Sequence, residues 1–212
     1  MIRVAVTAGM VVIALAFIDS ARSDEIPLFN IHSDNFEAIA GWQSGEAQVN
    51  FTATDYASTN LSEDQPPPHQ ISSAVAVCVE LPTRTICSSS SLLDDQFLVN
   101  GNLDSAVVNA VVPAQECLRV APFTCSDSSL HIDLAWTATG ALDRSDRFHN
   151  KIFSPEPCHI NELGAVSRRQ AQVTGSLTDG TIDFIASLDT VYAEIIRFHS
   201  ATTGRGDAEQ CL

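Results

Sequence analysis

Apolar and polar positions alternate along most of this chain. Ala47, Val49, Phe51 and Ala53 fall on one side of an extended segment, with Gln48, Asn50, Thr52 and Thr54 on the other. Leu130, Ile132, Leu134, Trp136 and Ala138 alternate in the same way with His131, Asp133, Ala135, Thr137 and Thr139. Ile71, Val75, Val77, Val79 and Leu81 form a third apolar face. A period of two marks half-buried strands of an antiparallel sheet. The segment from Ala106 to Val112 is apolar on both faces except for Asn109, and so predicts a central strand.

The punctuation between these segments predicts the rest. Asp179-Gly180 suits a two-residue type I′ hairpin. Folding there would pair Leu177 with Ile182 and Gly175 with Phe184, setting Ala171, Val173, Leu177, Ile182 and Phe184 on one face. Asn35 to Ala40 predicts one helical turn, ended by Gly41. Val191 to Phe198 is rich in β-branched and aromatic residues and predicts a strand. Residues 55–70 and 140–163 read as long polar connections. Phe51-Thr52-Ala53-Thr54 echoes Trp136-Thr137-Ala138-Thr139, which would suit a duplication of residues 45–98 in 130–195; strands with outward threonines also look alike by chance. About nine or ten strands without a long helix predict an all-β fold, a single antiparallel β-sandwich or flattened barrel.

Residues 1–23 read as a secretory signal peptide, with Arg3, an apolar run from Val4 to Ile18, and Ala21-Arg22-Ser23 at the cleavage site. The run is too short for a membrane span. Residues 24–212 are then expected to be a single β-domain, extracellular or periplasmic. All six cysteines follow the leader: Cys78, Cys87, Cys117, Cys125, Cys158 and Cys211. Six cysteines allow about fifteen pairings, which turn geometry narrows. A turn at Leu81-Pro82-Thr83-Arg84 would set Val79 beside Ile86 and Cys78 opposite Cys87, within disulfide reach. Cys117 and Cys125 flank Val120-Ala121-Pro122 in the same manner, leaving Cys158 and Cys211 to pair by elimination. Loop closure is worth about 2.6 kcal/mol for each short loop and about 4 kcal/mol for the long one. No C-x-x-C spacing occurs, which argues against zinc or thiol redox chemistry.

The chain carries 11 basic and 26 acidic residues, a formal net charge of −15. The leader takes Arg3, Arg22 and Asp19 with it. Such a surface disfavours nucleic acid and anionic membranes as partners. Because the acids are scattered and not in blocks, solubility explains them better than a calcium or cationic partner.

The densest polar cluster is Asp143-Arg144-Ser145-Asp146-Arg147-Phe148-His149-Asn150-Lys151. A hydrolase could use Asp143 or Asp146 to orient His149; a solvated loop laced with surface ion pairs is the plainer reading. His131 and Asp133 share an outer face and could build a metal site with His149, His159 or His199, though their dispersal suits ordinary surface histidines. Asn100-Gly101-Asn102-Leu103-Asp104 echoes the start of a calcium loop, but Gly101 is misplaced and Val111 stands at the twelfth position, so a turn is expected. Asp94-Asp95 forms an acid pair without an identified partner. Asn50-Phe51-Thr52 and Asn60-Leu61-Ser62 are glycosylation sequons. Arg205-Gly206-Asp207 spells a cell-adhesion tripeptide, though a flexible glycine turn before Cys211 is the plainer reading. Trp42, Tyr56 and Tyr192 could stack on sugars or cap the fold, whereas the phase of Trp136 puts it in the core. No G-x-S-x-G elbow and no phosphate loop is seen, and no cofactor is implied. The expected function is that of a secreted non-catalytic domain, acting in binding, surface association or structure, with an extracellular partner or a glycan. The alternative is a secreted hydrolase centred on Asp143 to His149.

Overall fold

The computed structural model describes residues 28–60, 70–153, 159–186 and 192–205, and every regular element among them is a strand. The strands are β1 (Leu28–Ser44), β2 (Ala47–Asn60), β3 (Gln70–Glu80), β4 (Arg84–Leu92), β5 (Phe97–Val99), β6 (Ser105–Leu118), β7 (Cys125–Ala138), β8 (Asp143–Phe153), β9 (His159–Thr178) and β10 (Tyr192–Arg205). All pairings between them are antiparallel. The signal peptide expected at residues 1–23, the expected Cys158–Cys211 pair and the Gly206-Asp207 dipeptide lie outside the described residues.

The sheet closes on itself. Its order is β10-β1-β2-β3-β4-β6-β7-β9-β8, and β9 also pairs with β10. β9 makes closure possible through its length. Its C-terminal part, Ala171 to Thr178, pairs with β7, and its N-terminal part pairs with β8 on the same edge and β10 on the other. The fold is therefore a barrel whose wall extends past its rim as a sheet of β3, β2, β1, β10, β9 and β8.

The alternation seen in the sequence sets the inside of the barrel. Ala38, Ala40, Trp42, Val49, Phe51, Ala53, Val75, Val77 and Val79 line one side. Leu130, Ile132, Leu134, Trp136, Val173 and Leu177 line the other, all but sealed from solvent. Phe51 and Trp136 pack with ring centroids 5.4 Å apart. Both indoles are satisfied: Trp136 Nε1 donates to Ile39 O at 3.0 Å and Trp42 Nε1 to Phe184 O at 3.3 Å. Trp42 is thus a core residue and no sugar platform.

Ion pairs and turns close both ends. At one end Arg84 reaches Glu116 at 2.7 Å and Asp179 at 2.9 Å. The hydrogen bond to Glu116, with further help from Asp179, holds Arg84 above the usual arginine range against the cost of its desolvation. At the other end Leu103 is buried as a plug, with φ of 58°. A left-handed leucine costs energy. It is held by Leu103 N–H to Asn100 O at 2.7 Å and Asn102 N–H to Asn100 Oδ1 at 2.9 Å. The segment 100–104 is thus a turn, as expected. Arg169 seals its flank through Asp104 and Gly140 O.

Two of the expected disulfides are present. Cys78 is opposite Cys87, beside the pair Val79–Ile86, and Cys117 is opposite Cys125. All four cysteines occupy outward phases, so neither bridge intrudes on the core.

Five sequence expectations are corrected. Asn35 to Ala40 is strand and not helix, because β2 and β10 pair with it on both sides without a break. Residues 55–60 belong to β2, 143–153 to β8 and 159–163 to β9, so these described parts of the expected polar connections are strand, running beyond the barrel rim. The 179–182 loop has four residues, pairing Thr178 with Asp183 and Gly175 with Ala186, because Asp179 Oδ1 accepts the N–H groups of Thr181 and Ile182. Ile182 consequently leaves the core face and is 41% exposed. β6 is central, yet Val107 and Val111 face outward and are exposed. Finally, β2, β3 and β4 form a simple meander, whereas β8 pairs with β9 and not with β7, so the two echoing segments differ in strand order.

Candidate binding face

Past Leu103 and Arg169 the inward face of the barrel continues along the extended sheet, and its composition changes. Register defines the rows. Ser167, Arg197, Phe36, Asp55 and Ser73 form the first row above the core. Arg147, Ala165, His199, Asp34, Ala57 and Ile71 form the next. His149, Leu163, Ala201, His32 and Thr59 form the third. Strand pairing thus gathers His32, His149 and His199 from three strands onto one surface.

Asp34 organises the middle of this face. Its Oδ1 accepts Arg197 Nε at 2.6 Å and His199 Nδ1 at 3.2 Å. Arg197 lies 5.3 Å from the centroid of the Phe36 ring, directly across β1 and β10. That places a guanidinium on the aromatic layer that caps the core. His199 holds His32 edge-on at 6.2 Å between centroids. Asp55 accepts the Ser73 hydroxyl at 2.7 Å. Both acids on the face therefore already have partners. Between the polar groups Leu163 and Ile71 are 50% and 59% exposed. The surface offers aliphatic patches framed by imidazoles and a guanidinium.

The Asp143 to Lys151 cluster lies along β8 and is divided between two faces. Asp146 turns outward to pair with Arg168, and Asn150 donates to Glu162 beside it. Arg147, His149 and Lys151 turn inward. His149 Nε2 sits 2.6 Å from Asn161 Oδ1 and meets no carboxylate among the described contacts. Asp143 accepts from Ser145, whose hydroxyl and backbone N–H hold its carboxyl below the usual carboxylate range.

The other candidates are separated by the fold. His131 and Asp133 do share the outer face of β7, both exposed, and no group of three metal-ligating residues forms among the described residues. Tyr56 is half-buried, with its hydroxyl 3.4 Å from Ser33 Oγ. Tyr192 packs over Gly41 and its hydroxyl reaches Asn50 Oδ1 at 3.5 Å, so one sequon asparagine is already in contact. Asp94 and Asp95 lie in the exposed turn before β5.

A cleft of about 410 Å³, which the sequence did not reveal, opens where β4 leaves β6. Those strands pair only over Arg84–Cys87 and Gln115–Leu118. Pro113, with no N–H for a ladder, follows the fork. Ser88 bridges the gap instead, donating its hydroxyl to Pro113 O at 2.6 Å. The serine run 88–91 was the available signal.

No family model matches the chain, and no curated protein matches it. Among solved structures, an acetoacetate decarboxylase-like enzyme from Sphingomonas wittichii RW1 is 10% identical over 85% of this chain and 91% of its own, at a TM-score of 0.26. The enduracididine biosynthesis enzyme MppR, complexed with the condensation product of pyruvate and imidazole 4-carboxaldehyde, is 8% identical over 95% of this chain and 96% of its own, also at 0.26. Likeness at that level carries no argument about fold or function. No helix among the described residues is long and apolar enough to cross a membrane.

Proposed function

We propose that this is a secreted, non-catalytic binding domain whose ligand lies on the inward face of the extended sheet. One observation carries the reading. Beyond the plug at Leu103, a continuous multistrand surface leaves Leu163 and Ile71 exposed beside the half-buried His32, His199 and Arg197. Mixed aliphatic and hydrogen-bonding surface of this kind suits recognition. Two disulfides support an oxidising compartment, in keeping with the leader read at residues 1–23. The imidazole of His149 engages the Asn161 amide and meets no carboxylate among the described contacts, which supports the binding reading over the hydrolase one.

The test is a thermal-shift panel of neutral and acidic glycans, run beside a panel of ester, glycoside and peptide substrates. The reading expects at least one glycan to raise the melting temperature, a shift diminished in His32→Ala and His199→Ala, with no turnover. Turnover by the wild type that His199→Ala or His149→Ala abolishes would overturn it.

A further inference from the structure

The hairpin of β8 and β9 separates charge between its two faces. Its outward face carries Asp146 and Glu162, with Arg168 paired to Asp146. Its inward face carries Arg147, His149 and Lys151 at alternate positions of one strand, all exposed. A strand advances about 3.3 Å per residue, so these three side chains recur about every 7 Å. Neither Arg147 nor Lys151 has an ion-pair partner among the described residues, and neither does Arg144 just before them, whereas Arg84, Arg119, Arg168, Arg169 and Arg197 all have one. β8 is also the free end of the strand order, so nothing described flanks the row on its open side. In a chain of net charge −15, two unpaired cations in line with an imidazole on an open edge stand out.

We infer that this row binds an acidic polysaccharide, its carboxylates or sulfates meeting Arg147 and Lys151 and its sugar rings lying across Leu163. The inference rests on the binding reading above and adds the ligand's chemistry. A linear array of cations matches a polymer with regularly spaced anions better than a compact anion, which would leave one end unpaired. Half-exposed Asn161 supplies amide hydrogen bonding beside the row, and Leu163 offers the aliphatic surface on which pyranose C–H faces pack. Duplex nucleic acid is disfavoured, because a wide, rigid duplex would also lay phosphates against the acidic surface beside this single row, whereas one flexible polysaccharide strand can follow the row alone. Asp34 and Asp55, the acids on the same sheet face, are occupied by Arg197, His199 and Ser73, so the nearest negative charges are partly neutralised.

The experiment is isothermal titration of the full secreted chain with polygalacturonate, dextran sulfate, unsubstituted dextran and polyglutamate at two salt concentrations. Binding to polygalacturonate or dextran sulfate is expected, at least tenfold weaker in Arg147→Ala/Lys151→Ala and weakened by salt. Arg168→Ala, on the opposite face, is expected to bind as the wild type does and controls for folding of the hairpin. Equal affinity in the double variant, or preference for polyglutamate over both polysaccharides, overturns the inference. Failure to bind either acidic polysaccharide also overturns it. In that case, dextran binding that His32→Ala removes would leave the broader binding reading standing.

Discussion

Arg84 and Asp179 meet at 2.9 Å although 95 residues separate them, and the Asp179 side chain is only 4% exposed. The same carboxylate uses its other oxygen to hold the N–H groups of Thr181 and Ile182. One residue therefore shapes the loop after β9 and ties it to the β3–β4 hairpin. Asp179→Ala removes both roles and leaves Arg84 with Glu116 alone. A loss of about 2–4 kcal/mol is expected from the charged hydrogen bond and the two turn bonds together. Asp179→Asn keeps the turn acceptor and should lose less. Urea unfolding midpoints of the two variants check the order.

Three aromatic rings lie on glycines directly across a strand pair: Phe148 on Gly164, Phe29 on Gly204 and Tyr192 on Gly41. At each position a Cβ would enter the ring. Gly164→Ala must displace Phe148 from the extended sheet, at a cost of about 1–3 kcal/mol. Hydrogen exchange should show protection falling along β8 and the facing part of β9, with the barrel core unaffected.

Both bridges close short loops, with sequence separations of 9 and 8. Cys78→Ala/Cys87→Ala is expected to lower stability by about 2–3 kcal/mol through the unfolded chain. Because the cysteines face outward, folding and ligand binding should survive. Denaturant titration and a binding assay on the same variant test the two halves of that statement.

Asp143 is held below the usual carboxylate range first by the Ser145 hydroxyl, then by its N–H. A depressed folded pKa gives stability that is present above the unfolded pKa and lost as pH falls through the folded one. Asp143 is fully exposed, so the titration itself, and not a stability change, is the useful readout. Carboxyl NMR should place its midpoint below 3.8, and Ser145→Ala should move it upward.

Strands, core phase and the two local disulfides were legible because each depends on near neighbours: period two decides which side chains turn inward, and a turn decides which cysteines face one another. Trp136 was placed correctly on phase alone. Trp42 was not, because its partner, Phe184 O, comes from a segment 142 residues away. Asn35 to Ala40 carries a local helical signal that flanking strands β2 and β10 override. The long polar segments misled for a related reason. Polarity by itself predicts loop, whereas here the strands outrun the core and their polar residues form the candidate face. That face could not be read in advance, because His32, His149 and His199 become neighbours only through the register of β1, β10, β9 and β8.

The most direct measurement is an amide chemical-shift map of the isotope-labelled protein titrated with polygalacturonate. Perturbations are expected along Arg147 to Lys151, Asn161 to Ala165 and His199 to Ala201, with outward residues such as His131 unmoved. Perturbations confined to the cleft at Ser88 to Ser90 and Pro113 to Gln115, or spread evenly over both faces of the sheet, would contradict the assignment of the binding face.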